Sequence, residues 1–186
     1  MIDQKFLTNE ATYANVLSIG TILKKQGKWQ EASESFHASL KVKRRHYAES
    51  HLSVAETKHF LGLALLHLGD QEEASVFLKS ALVAYESKLG THSNIPEILD
   101  SLGSICIANK ELESAHRYLE RSLALKRISH EDDNMSISDT LYLIGKVQGK
   151  SGDLDDSLQT LKHGKVFSNI FHALSCFSSG RSAFHQ

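Results

Sequence analysis

AETKHFLGLALLHLGDQEEASVFLKSALVAYE, residues 55 to 86, is the stretch whose reading decides the fold. Leu61-Gly62 followed by Leu65 sets one face of a first helix. Ala74 and Leu78, four residues apart, form the facing stripe of a second helix. Gly62 and Ala74 are small where two helices must approach closely; a larger side chain there overpacks the contact, at a typical cost of about 1–3 kcal/mol. Gly69-Asp70 lies between the stripes and reads as the turn, with Gly closing one helix and Asp opening the next. The unit is a helix-turn-helix.

The same unit recurs along the chain. Gly20, Gly62, Gly103 and Gly145 are separated by 42, 41 and 42 residues. Ile19, Leu61, Leu102 and Ile144 precede them, and Ala32, Ala74, Ala115 and Ser157 follow 12 residues later. Phe36, Leu78, Leu119 and Leu161 stand four residues further on. A regular period of this length means stacked supersecondary units that bury their apolar faces against one another. The L-G-x2-Y…A-x3-F skeleton resembles the tetratricopeptide repeat. The long period resembles the kinesin-light-chain type, as do Ala81-Leu82-Val83-Ala84-Tyr85-Glu86, then Lys88-Leu89-Gly90 and His92. His51 with Val54-Ala55-Glu56-Thr57 is similar to that subfamily's opening of the next repeat. The resemblance covers roughly residues 10–168. It implies an all-α, right-handed superhelical solenoid of four antiparallel helix pairs, whose first helices line a groove that takes a partner's peptide or helix.

Composition agrees with an all-helical chain. Its 186 residues include a single Pro and suit one domain. The net charge of −1 sets up no field that would select nucleic acid or an anionic membrane. Met1-Ile2-Asp3-Gln4-Lys5 lacks the apolar segment of a secretory signal, and the longest apolar run, Phe60 to Leu68, is far short of a membrane span. The two cysteines, Cys106 and Cys176, make no disulfide framework, and Cys106 falls on a core stripe. A cytoplasmic location is expected.

Taken in order, residues 1–9 read as a lead-in and the repeats span about 13–52, 53–93, 94–135 and 136–166. The first helix is expected from Glu10 to Gln26 with Val16, Ile19 and Leu23 inward, and the second helix to about Tyr47. Lys41, Lys43, Arg44 and Arg45 read as a solvated helix end, favoured there by the dipole. Lys110 replaces the turn glycine of the third repeat, which assigns the bend to Asn109-Lys110, with Asn in the left-handed conformation. Repeat four is degraded: Gln148, Ser157 and Gly164-Lys165 replace apolar or small residues. Phe167, Ile170, Phe171, Leu174 and Phe177 fall at helical spacing, so residues 167–186 read as a capping helix or, on the alternative, a disordered tail.

No nucleophile elbow, phosphate-binding glycine loop, metalloprotease helix or zinc spacing occurs, so neither catalysis nor a cofactor is expected. His46, Glu49 and His51 are the closest approach to a metal set, but they straddle a helix end and no matching second set follows. What remains is a surface. The resemblance places residues three before, one after and four after each Gly on the groove: Leu17, Thr21 and Lys24; His59, Leu63 and Leu66. In the later repeats the same register gives Asp100, Ser104 and Ile107, then Tyr142, Lys146 and Gly149. Leu63 reads equally well as packing against the next repeat. Kinesin light chains usually carry paired asparagines just before the Leu-Gly. The matching pairs here are Leu17-Ser18, His59-Phe60, Asp100-Ser101 and Tyr142-Leu143, so cargo recognition does not come with the resemblance. Leu17 and Thr21 likewise replace the Lys and Asn of a chaperone-tail clamp. The expected function is a non-catalytic interaction module for a protein or peptide segment. The alternative is a self-associating or spacer element of a larger repeat scaffold. The chain is expected to be a monomer or to self-associate weakly.

Overall fold

The computed structural model describes residues 16–90, 92–128 and 134–164. The described residues are helical throughout, apart from turns. Residues 16–25 form α1, followed by α2 (Trp29–Lys43), α3 (Leu52–Leu68) and α4 (Gln71–Leu89). Then come α5 (Asn94–Ala108), α6 (Leu112–Ile128), α7 (Asn134–Ser151) and α8, residues 154–164. The lead-in, the start of the first helix, residues 129–133 and the capping segment lie outside the described residues. The chain divides between Ser101 and Leu102, within α5, into two compact units.

In the first unit the glycine reading holds. A Cβ on Gly20 would sit 2.5 Å from the Phe36 ring, and one on Gly62 would sit 2.7 Å from Leu78 Cγ. Side chains at these positions would push the paired helices apart. Gly69 ends α3 with φ 90°, and the Asp70 carboxylate accepts from Glu73 N–H at 3.1 Å to open α4. A connection this short folds the pair back as an antiparallel hairpin. The linker histidines are helix caps: Nδ1 of His51 accepts from Ser53 N–H, and Nδ1 of His92 accepts from Asn94 N–H, both at 3.2 Å. Tyr47 and Tyr85 stack on these two imidazoles, with ring centroids 4.4 and 4.6 Å apart. Trp29, at the start of α2, stacks on His67 at 3.7 Å.

Two expectations for this unit change. Helix α2 ends at Lys43 rather than near Tyr47, and a turn over 44–46 carries the chain on. Ile19 does not point inward: it is 51% exposed, because no helix among the described residues covers that side of α1.

In the second unit, Gly103 faces Leu119 and Gly145 faces Leu161 in the same close approach, each with a virtual Cβ 2.7 Å from Cγ. Leu119, Leu123, Leu141, Ile144 and Val147 make the core between α6 and α7, and Cys106 lies in it as expected. The left-handed residue of the third turn is Lys110, with φ 64°, rather than Asn109. Of the polar substitutions of repeat four, Gln148 leaves its buried Oε1 without a hydrogen bond, whereas the serines meet backbone carbonyls. Ser157 Oγ donates to Gly145 O at 2.7 Å, and Ser138 Oγ donates to Gly164 O at 2.5 Å.

Candidate interaction surface

Helical spacing puts Leu17, Thr21 and Lys24 on one face of α1, and all three are half-buried. Thr21 Oγ1 donates to its own helix at Ser18 O, 2.8 Å away. The Lys24 ammonium stands 5.0 Å from the centroid of the Phe60 ring on α3, a cation–π contact. Phe60 in turn stacks on Phe36 at 5.7 Å. Leu66, one turn beyond Leu63, is half-buried. The first-unit face therefore joins an amine to apolar surface.

Three of the sequence-derived residues are not on the surface. His59 is fully buried, and Leu63 and Ile107 are nearly so. Their helices are covered on that side, so they act in packing. His59 Nε2 lies 3.3 Å from a carboxylate oxygen of Glu97 on α5, and its ring stacks on Phe60. Asp100 and Ser104 on α5 are half-buried. In the second unit Tyr142 and Lys146 are exposed, and Gly149 is half-buried beside Ser157.

The structure adds a joint that sequence reading did not pick out. Lys43, assigned to a solvated helix end, is buried. Its Nζ donates to Ser53 O at 3.0 Å and to Thr57 Oγ1 at 2.8 Å, and Thr57 Oγ1 donates to Ser53 O at 3.1 Å. Burial pushes the Lys43 amine below its ordinary value, and the Glu56 charge partly offsets this. The same joint recurs in the second unit, where Lys126 Nζ donates to Ser136 O at 2.9 Å and to Thr140 Oγ1 at 2.7 Å. Between them, Asn94 Nδ2 donates to Tyr85 OH at 3.2 Å. Burial raises the Tyr85 hydroxyl above its ordinary range. The signal was present as Lys43…Ser53-x3-Thr57, repeated by Lys126…Ser136-x3-Thr140 at a shift of 83 residues. A second buried lysine, Lys58, donates to Ser80 Oγ at 2.8 Å and pairs with Glu49, which also takes Arg44.

Stacked antiparallel pairs, close-approach glycines and polar joints at one period define a helical-repeat protein. Residues 12–87 match the family profile of the tetratricopeptide repeat. A TPR repeat-containing protein of Dictyostelium discoideum is 27% identical over 135 residues, 70% of this chain and 8% of the relative. The chain therefore spans only a small part of that relative's length. Two solved structures share the fold. BtubC (BKLC) from P. vanneervenii superposes with a TM-score of 0.78 at 20% identity, over 88% of this chain and 66% of its own. A candidate kinesin light chain of Podosopora anserina, built of nearly identical TPR-like repeats, gives 0.69 at 17% identity, over 81% of this chain and 72% of its own. Residues 12–87 thus carry the tetratricopeptide-repeat profile, and the fold is that of solved structures built of TPR-like repeats. Folds of this family generally serve as protein–protein interaction modules and are typically non-catalytic scaffolds. Among the described residues, no helix is long and apolar enough to cross a membrane.

Proposed function

We propose that the chain is a non-catalytic interaction module that binds a segment of a partner protein along its first helices. The observation that carries this reading is Lys24 held over Phe60. It sets a cation against the half-buried Phe60 ring, and Leu17 and Leu66 are half-buried on the same two helices. Such a face suits a short peptide with an aliphatic or aromatic anchor and a neighbouring carboxylate. Tyr142 and Lys146 offer a similar pairing of ring and amine on α7 of the second unit.

The test is a peptide-display selection on the full chain, followed by titration of the enriched sequences. Enriched peptides are expected to pair an apolar anchor with Asp or Glu. Lys24→Glu is expected to weaken them about tenfold or more, equivalent to about 1.4 kcal/mol. Leu66→Glu should weaken them independently of their acidic residues. Enriched peptides whose affinity neither variant changes would reject this face.

A further inference from the structure

A cavity of about 280 Å³ opens in the second unit, where the start of α6 meets the end of α7 and the start of α8. Leu112 and Val147 give it an apolar wall. On α7, Val147, Gln148 and Ser151 lie on the side of the helix away from Tyr142 and Lys146, so the cavity is separate from the surface proposed above. At the corresponding place the first unit carries larger apolar side chains. Trp29, Leu65 and Leu68 stand there at the register of Leu112, Gln148 and Ser151. Leu65 is buried, and the Trp29 ring stacks on His67. The second unit thus sets one shorter and two polar side chains where the first has a ring and two leucines. The exchange leaves a need unmet: Gln148 Oε1 is buried and, among the described residues, meets no hydrogen-bond donor. A buried acceptor in that state is costly, and a ligand N–H is the partner it lacks.

Charge sets the sign of that ligand. Glu113 stands in the first turn of α6, Asp153 precedes α8, and Asp156 lies in the first turn of α8. Helix starts favour carboxylates, and here two of them border one cavity, which gathers all three. Among the described residues no Lys or Arg lines it, none pairs with these acids, and the one imidazole on the wall, His116, is exposed. We propose that this cavity binds the guanidinium of an arginine side chain on a partner protein. Small-molecule pockets hold about 300–1,000 Å³, so a volume just below that range suits a single long side chain. Leu112 and Val147 take its methylene stem. Ser151 Oγ donates to Val147 O at 3.1 Å, which leaves its lone pairs to accept. Carboxylates, amide oxygen and hydroxyl together offer acceptors for the five N–H groups of a guanidinium, more than an ammonium can use.

The test is an NMR titration of the isotope-labelled full chain with N-acetyl-arginine amide, run beside the matching lysine and citrulline amides. Arginine is expected to give saturating shifts at the backbone amides of Glu113, Gln148, Ser151 and Asp156. Lysine should bind at least threefold more weakly, citrulline should give no saturating shift, and added salt should weaken the arginine response. Leu112→Trp places at this register the residue the first unit has there, and should weaken arginine at least tenfold. The double variant Glu113→Gln, Asp156→Asn should do the same by removing charge, and it decides the matter if Leu112→Trp loses its helicity by circular dichroism. Arginine shifts that do not saturate by about 10 mM, or that fall elsewhere on the chain, would overturn the proposal. So would citrulline binding as well as arginine, since charge would then not be what the cavity reads. Lysine binding as tightly as arginine would overturn the assignment to a guanidinium. Unchanged arginine affinity in the charge variant would overturn the site itself.

Discussion

Repeat two (α3 and α4) and repeat four (α7 and α8) carry the same skeleton in different surroundings. Both place a glycine against a leucine, Gly62 on Leu78 and Gly145 on Leu161. Both begin with a lysine from the preceding helix reaching a serine carbonyl and a threonine hydroxyl. Repeat two is covered, with Leu61, Leu63, Ala64 and Leu65 all buried. Repeat four replaces Ala74 and Leu65 by Ser157 and Gln148, and its leucine is partly open to solvent. The skeleton therefore fixes how two helices of a pair meet, and the neighbours fix how much that meeting stabilises.

Filling the glycine notch is the strongest way to break the comparison. Gly62→Val inserts a branched side chain where a Cβ alone stands 2.7 Å from Leu78 Cγ, and Leu78 is enclosed on all sides. The expected cost is about 3 kcal/mol. At this chain length that lowers the melting temperature by about 6–12 °C. Gly145→Val meets Leu161 at the same distance, but Leu161 is 36% exposed and has room to turn outward. Its expected cost is about 1 kcal/mol. Differential scanning calorimetry of the two variants measures the gap. Equal costs would mean that cover by neighbours does not set the penalty.

The lysine joints give the next largest effect. Thr57→Val removes an acceptor from an amine that is already buried, and is expected to cost about 1–3 kcal/mol in chemical denaturation. Thr140→Val should cost less, because Lys126 is only half-buried. Lys43→Met is expected to stay within about 1 kcal/mol of the wild type, since it removes the buried charge together with its need for partners. It should also change the alkaline limb. Between the lowered Lys43 value and the ordinary 10.5, the unfolded chain holds a proton that the folded chain lacks. Stability therefore rises with pH through that window in the wild type, and this contribution is expected to vanish in Lys43→Met.

Much of this architecture was legible because it rests on spacing. Four glycines in phase announced four helix pairs, and Gly69-Asp70 announced the cap geometry found at that turn. The surface was less legible. Register alone treats His59 and Tyr142 as equivalent, yet one is enclosed and the other open, because exposure depends on what lies beside a helix. Ile19 was misread for the same reason: its spacing matches a core position, but cover is supplied by a neighbour. Lys43 was misread because a charge run reads as solvated until a carbonyl and a hydroxyl are seen to meet the amine. At the third turn, the left-handed conformation fell to Lys110, although Asn109 has the better intrinsic tolerance.

Glu49 separates the two repeats by the smallest margin. Its carboxylate accepts from Lys58 Nζ at 2.5 Å and from Arg44 Nε at 2.6 Å. Repeat four has Leu141 at the register of Lys58, so this contact has no counterpart there. The hydrogen bond from Lys58 chiefly, then that from Arg44, holds the Glu49 carboxyl below its ordinary value against the opposing effect of partial burial. The carboxylate is largely exposed, so solvent screening limits the contribution to about 0–1 kcal/mol. As pH falls below the ordinary 4.5, the unfolded chain takes up a proton before the folded chain does. The stabilisation is therefore present above that value and is lost as pH falls through the lowered one. Glu49→Gln is expected to be slightly less stable than the wild type at about pH 7, with the difference closing toward about pH 3 as the wild-type carboxylate titrates. Urea midpoints of the two proteins across that range decide it. A difference that persists undiminished in acid would show that shape at residue 49, rather than its charge, distinguishes the junction into repeat two from the one into repeat four.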